Sequence, residues 1–383
     1  MEKTPVLIGD GTYGCVTKPS LKCANTKVNY KSKVSKVMLR EDAKDEYNEM
    51  KSITNIDGIH KYIVSLPDMC SPVYNKHFSK TLKTCDNERF EGAAKGDFKL
   101  LILEDGGVSL RQFSDKIVST LSLHDINVFF SRIYNLLEGL CFFYEHGIVH
   151  HDIKARNIVY NIETSEIKFI DFGLMKKRNV LISESKRNKN QLAQKWDNFP
   201  PEYDAANKYY YDLNPTYNMS YDTFIERVAY TFDSYSLGLM MTRLLEPMRS
   251  MGLGINMDAI EDMMFFFDKL ATEDIETRDY NIYKNKEEYK ELLKFHKIWN
   301  IEKSKPSEKS IVLQKSLSAK MDLSKKERTI LKNTLSLYKH LKPCNENQIR
   351  NPNTRRCVRK CKPDEIRDKR FRCRKTVRAK RAQ

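Results

Sequence analysis

No apolar run in this chain approaches the roughly 18 residues that a bilayer-spanning helix needs, which excludes such a helix. Met1 to Ile8 shows no basic stretch leading into a long apolar one, so no secretory leader is expected. Excess charge is missing from most of the chain. Of the net +16, residues 342–383 hold 16 Lys/Arg against 4 Asp/Glu, and the first 341 residues carry only four more basic than acidic side chains. The basic character thus belongs to a tail, and the body is close to neutral. That tail has a single aromatic residue, Phe371, which argues against base stacking there. Its cysteines, Cys344, Cys357, Cys361 and Cys373, include no C-x2-C pair, which weakens a zinc reading. With 40 % apolar and 31 % charged residues, the composition is neither disordered nor fibrous. A chain of 383 residues is long enough for two or three domains or one large two-lobed enzyme.

Residues 5–16 read as a strand, a glycine-containing turn and a second strand. A helix is expected over 41–56, where Tyr47, Met50, Ile53 and Ile56 recur every three or four positions. Residues 57–97 have no sustained period and read as loop or insertion, followed by a short strand from Lys99 to Glu104. The clearest helix runs from Ile126 to Tyr144, on the stripe Ile126, Phe129, Phe130, Ile133, Leu137, Leu140 and Tyr144, with Gly147 as its stop. Two short strands, Ile158 to Asn161 and Ile167 to Ile170, flank a Glu-Thr-Ser turn. Residues 174–200 read as polar and irregular, and helical patterns dominate to about 341, with a charged break at Lys303 to Lys309. Strands first and helices after predict an α+β protein with a small sheet lobe and a larger helical lobe. The body cysteines Cys15, Cys23, Cys70, Cys85 and Cys141 read as reduced thiols, given no leader.

Three motifs carry chemistry. Gly9-Asp10-Gly11-Thr12-Tyr13-Gly14-Cys15-Val16 is spaced G-x-G-x-x-G-x-V, and its glycines let backbone approach a phosphate chain. Lys18-Pro19 follows at once, so a strand and turn are expected there rather than the helix of a dinucleotide fold. The second motif is His150-His151-Asp152-Ile153-Lys154-Ala155-Arg156-Asn157. The third, Asp171-Phe172-Gly173, comes directly after the strand pair. A hairpin returns its ends to one place, so Asn157 and Asp171 should lie side by side and offer oxygens to Mg²⁺. Asp152 can then face an incoming hydroxyl, and Lys154 can neutralise charge on a transferred phosphoryl group.

In this order the motifs resemble a eukaryotic-type protein kinase over about residues 5–300. The resemblance implies a bilobal fold, with residues 1–104 as the sheet-rich lobe and 105–300 as the helical lobe. It further implies Lys36 as the phosphate-anchoring lysine, Glu46 (or Glu49) as its helical partner, and Asp152 and Lys154 as catalytic residues. Ile8, Gly9, Gly11, Gly14, Val16, Lys36 and Glu104 would contact the nucleotide. Asn157 and Asp171 would hold Mg²⁺, with Mn²⁺ as an alternative ion. Leu103-Glu104-Asp105-Gly106 matches the hinge that binds adenine. Pro200-Pro201-Glu202 resembles the A-P-E that closes the activation segment, and Asp233 to Gly238 resembles the D-x-x-S-x-G of a bracing helix. Arg278 should pair with Glu202. The implied activity is transfer of the γ-phosphoryl group of ATP to Ser/Thr hydroxyls. Lys154 favours that acceptor, although Ala155-Arg156-Asn157 resembles the tyrosine-kinase version. His151 stands where many regulated kinases have arginine, so activity is expected without phosphorylation of the activation segment. The competing classes are a pseudokinase scaffold and a small-molecule kinase of related fold.

Residues 301–341 read as a helical extension. In the tail, Cys344 to Arg350 resembles Cys361 to Arg367, and each copy ends at Arg-Cys. Units of this size need a staple, either two local disulfides or, less favoured, one Zn²⁺. The pattern is similar to the two-cysteine adaptor repeat of nucleocytoplasmic large DNA viruses, where it accompanies kinases and other enzymes. That implies a viral kinase acting in host cytoplasm, in viral factories, or packaged in virions. Residues 342–383 are expected to meet an acidic protein or, non-specifically, nucleic acid.

Overall fold

A computed structural model describes residues 4–11, 13–187, 197–203, 211–212, 217–251, 256–301, 311–312, 348–350, 357–359, 365–367 and 373–375. The chain opens with β1 (Val6–Gly11), β2 (Gly14–Lys18) and β3 (Lys33–Leu39), followed by helix α1 (Arg40–Thr54). β4 (Asp68–Cys70) and β5 (Phe98–Glu104) complete an antiparallel sheet of order β1-β2-β3-β5-β4. The register places Lys36 of β3 opposite Val16 of β2 and Leu101 of β5. Gly14 is obligatory at the start of β2, because a Cβ there would lie 2.7 Å from Met38 Cγ and also strike the Val37 carbonyl.

The helical part begins after β6 (Val108–Ser109) and the single turn α3 (Leu110–Gln112). α4 (Leu123–Glu145) starts at Ser122, whose hydroxyl accepts from Asp125 N–H while Asp125 accepts in return, a reciprocal cap that satisfies orphan donors. β7 (Ile148–Val149), β8 (Ile158–Asn161) and β9 (Glu166–Phe169) follow, and β8 pairs with β9 through a turn that carries Ser165 at φ 57°. β10 (Lys176–Lys177) pairs with β7 and leads into α5 (Arg178–Arg187). α6 (Tyr221–Ser250), α7 (Met257–Leu270) and α8 (Ile282–Phe295) are each capped by a polar side chain, from Ser220, Asn256 and Asn281. One large core joins the inner faces of α4, α6, α7 and α8 to Met50 and Ile53 of α1. A separate small core of Leu21, Val37, Phe78, Phe98 and Leu100 fills the back of the sheet.

Three expectations need correction. Residues 57–97 are more ordered than their pattern suggests: they contain β4 and a helix, α2 (Lys76–Thr84), capped by Asn75. α2 buries only Phe78 and Thr81, too few positions for a period to show. Residues 174–187 are β10 and α5 rather than irregular; α5 buries only Leu181, so its sequence looks polar. The body cysteines are not all thiols. Cys15 is bonded to Cys85 and Cys23 to Cys70, at Cα separations of 6.0 and 5.7 Å, and the fifth body cysteine, Cys141, is free. Strand pairing and the α2 insertion create these neighbours, which linear spacing does not reveal.

No helix among the described residues is long and apolar enough to cross a membrane. In the tail, β11 (Gln348–Arg350) pairs with β12 (Cys357–Arg359), and β13 (Glu365–Arg367) with β14 (Cys373–Lys375). The two copies of the sequence duplication are thus two hairpins. Cys344, Cys361, the charged break at 303–309 and most of the 301–341 extension lie outside the described residues.

Candidate active site

Lys36 points from the centre of β3 toward α1, where its Nζ donates to Glu46 Oε2 at 2.6 Å. It also reaches Asp171 Oδ1 at 3.4 Å. Burial alone would lower the Lys36 pKa, but the carboxylates of Asp171 and Glu46 outweigh it and hold the ammonium above its ordinary value. The charge of Lys36 in turn holds the Asp171 carboxyl below its usual range. Glu46 is therefore the lysine's partner. Glu49, one turn further on, leaves a buried Oε2 without a hydrogen bond among the described residues. Burial first, then repulsion from Glu46, Asp45 and Asp171, pushes Glu49 up to about 7.

The loop after β7 supplies the second group. Asp152 Oδ2 accepts from Lys154 Nζ at 2.7 Å and from Asn157 Nδ2 at 2.7 Å, while the same amide also bonds the Asp152 carbonyl at 3.0 Å. Burial raises the Asp152 pKa, and the Lys154 ammonium opposes that rise. Asp233 of α6 holds the loop from below, accepting from His150 N–H at 2.7 Å and His151 N–H at 3.0 Å. His151 adopts φ 67°, a left-handed turn immediately before Asp152. Its ring lies 5.2 Å from Phe199 and 4.5 Å from Phe232, and burial, with the charge of Lys176, lowers its pKa to about 3.

β8 and β9 bring the two groups together. Ile158 pairs with Phe169, and Ile170 N–H donates to Asn157 O at 2.9 Å, so Asn157 and Asp171 flank one end of the hairpin. No cluster of three or more His, Cys, Asp or Glu that could hold a metal occurs among the described residues. The oxygens available, the Asp171 carboxylate and the Asn157 carbonyl, fit a hard cation that completes its shell with phosphate and water.

Of the nucleotide-contact residues expected, Gly9, Gly11, Gly14 and Val16 lie on the β1–β2 hairpin that roofs Lys36, with Gly9 opposite Val16. Ile8 occupies the register irregularity between Leu7 and Gly9. Glu104 ends β5 opposite Lys33 and exposes its side chain; the connection to the helical part starts there, and Asp105 N–H bonds Ser32 O at 3.0 Å. Downstream, Glu202 and Arg278 form a fully buried pair, as the sequence leads one to expect. Arg278 also bonds Thr231 Oγ1 at 3.2 Å and the Thr272 and Glu273 carbonyls at 2.7 and 3.1 Å.

Two contributors escape sequence reasoning. The Phe172 ring meets that of His150 at 4.7 Å with the planes tilted by 45°, right beside Asp171. The guanidinium of Arg178, at the start of α5, lies 4.5 Å over Tyr144 and 4.4 Å over Tyr230 and bonds Tyr144 O at 2.6 Å. Its ring partners sit on two different helices, so no local signal marks it.

With this geometry in place, comparison with known proteins is direct. The protein kinase domain family matches residues 3–211, and the chain belongs to that family. It is 28 % identical over 167 residues to mitogen-activated protein kinase p38b of Drosophila melanogaster, covering 44 % of this chain and 40 % of that one. It is 27 % identical over 175 residues to cyclin-dependent kinase 14 of Xenopus tropicalis, covering 45 % of this chain and 34 % of that one. The chain spans well under half the length of these relatives.

Proposed function

We propose that this protein transfers the γ-phosphoryl group of ATP to Ser and Thr hydroxyls of protein substrates. The observation that carries the reading is Lys36 bridging Glu46 and Asp171, with Asp152, Lys154 and Asn157 hydrogen-bonded together nearby. In this reading Lys36 orients the nucleotide phosphates, and Glu46 holds the lysine. Asp152 receives the proton of the attacking hydroxyl as the new O–P bond forms and the bond to ADP breaks. Lys154 offsets charge on the transferred group. Mg²⁺, held by Asp171 and Asn157, would neutralise phosphate charge when bound. The resemblance to kinases with Ser/Thr acceptors and the presence of Lys154 support that acceptor class.

Incubation with radiolabelled Mg-ATP and a peptide library bearing Ser, Thr or Tyr tests the proposal. Label on Ser and Thr is expected, and Asp152→Asn should lower turnover by about 100-fold or more while nucleotide still binds. Nucleotide binding without transfer would indicate a scaffold, and label confined to small molecules would indicate a metabolite kinase.

The buried, aromatic-packed His151 supports activity that does not depend on phosphorylation of the activation segment. Phosphatase treatment should leave the rate within about twofold, because a neutral ring at this depth has no charge to pair with a phosphate. We further propose that the two-hairpin tail belongs to a viral enzyme working in host cytoplasm or in virions and recruits an acidic partner. The duplicated Cys pattern and the local +12 charge support this, and immunolocalisation in infected cells would test it.

A further inference from the structure

We propose that Cys85 to Arg89, in the stretch between β4 and β5, is a positioning clamp on the β1–β2 loop, locked by the Cys15–Cys85 bond. This rests on the reading above, in which that loop receives nucleotide phosphates. Three contacts reach the loop from five consecutive residues. Cys85 is bonded to Cys15, the residue after Gly14. Asn87 Nδ2 donates to Gly11 O at 2.8 Å. The Arg89 guanidinium stands 5.1 Å over the Tyr13 ring. Arg89 also bonds both oxygens of Asp42 at 2.8 and 3.0 Å, in the first turn of the helix that carries Glu46. One segment thus ties the loop above the phosphates to the helix behind Lys36.

The segment is itself anchored. Phe78 of α2 is buried against Phe98 at 5.7 Å, and Phe90 meets Phe98 at 5.1 Å. A loop with three glycines samples many conformations, and ordering it on nucleotide binding costs free energy. Fixing it beforehand removes part of that cost. The three contacts use a sulfur, a carbonyl oxygen and a ring face, and none of the three engages a loop amide N–H. A dithiol reductant would undo the lock. It supplies two electrons and two protons, the S–S bond becomes two thiols, and the reductant becomes a disulfide. Cys15 is fully buried and Cys85 is 8 % exposed, so the bond should resist reduction until the segment lifts.

The test uses the full chain, oxidised or treated with dithiothreitol, alongside Cys85→Ser, Asn87→Ala and Arg89→Ala. Reduction and Cys85→Ser should raise the KM for ATP about three- to tenfold with kcat within about twofold, and should speed amide exchange over Gly11–Gly14 without nucleotide. Asn87→Ala and Arg89→Ala, exposed enough to fold normally, should each raise the KM about two- to threefold. Cys23→Ser, which removes only the other disulfide, should leave the KM unchanged. Unaltered exchange together with unaltered nucleotide affinity in all the clamp variants would overturn the proposal. Because exchange needs no catalysis, an inert protein with a protected loop would sink the phosphotransfer reading and keep the clamp.

Discussion

Arg278 and Glu202 form the most deeply buried ion pair among the described residues, with side chains at 0 % exposure and three further hydrogen bonds around the guanidinium. Removing one partner leaves an uncompensated charge, so Arg278→Ala should lower unfolding free energy in urea by about 3–5 kcal/mol. Glu49 shows the opposite economy, a carboxyl kept near neutral by burial. Its pKa rises from 4.5 in the unfolded chain to about 7, so the folded state binds more protons between those values. Stability therefore falls as pH rises from about 4.5 to 7, and the loss is complete above 7. Since Glu49 is partly exposed, Glu49→Gln should raise the melting temperature at pH 8 by only about 1–3 °C and leave it nearly unchanged at pH 5. His151 acts in the other direction: burial keeps it neutral to about pH 3, so its contribution is lost as pH falls from 6.5 toward 3.

Among the elements, α6 carries most of the positioning. Its Asp233 holds the loop that presents Asp152, its Thr231 meets Arg278, and its Ser236 hydroxyl donates to Asn198 O at 2.7 Å. Gly238 lets α7 lie directly against it. A Cβ there would approach Phe267 O to 2.6 Å and Leu270 Cβ to 2.8 Å. Backbone cannot yield as a side-chain tip can, so Gly238→Ala should cost about 1–3 kcal/mol, read as a fall in the thermal midpoint. α1 faces both ways, with Met50 and Ile53 in the large core and Glu46 toward Lys36, so mutations in that core should also loosen the Lys36 contact.

For the molecule as a whole, charge is divided between a near-neutral body and a tail of two basic hairpins. Retention on a polyanionic column should depend on salt and be lost when residues 342–383 are deleted, because counterion release scales with the number of cations engaged. Retention that persists at high salt would contradict an electrostatic role for the tail.

Much of this was legible in the primary structure. The motif order around Asp152, Asn157 and Asp171, the stripe of α4 and the charge of the tail are short-range patterns, set by helix period, hairpin return and side-chain chemistry. The bilobal α+β architecture follows from the order of those patterns. Tertiary structure alone selected Glu46 over Glu49, because one turn of helix decides which carboxylate meets Lys36. It alone joined Cys15 to Cys85 across 70 positions, and it set Arg178 between two rings. Such contacts depend on how distant elements pack, and no local spacing encodes that.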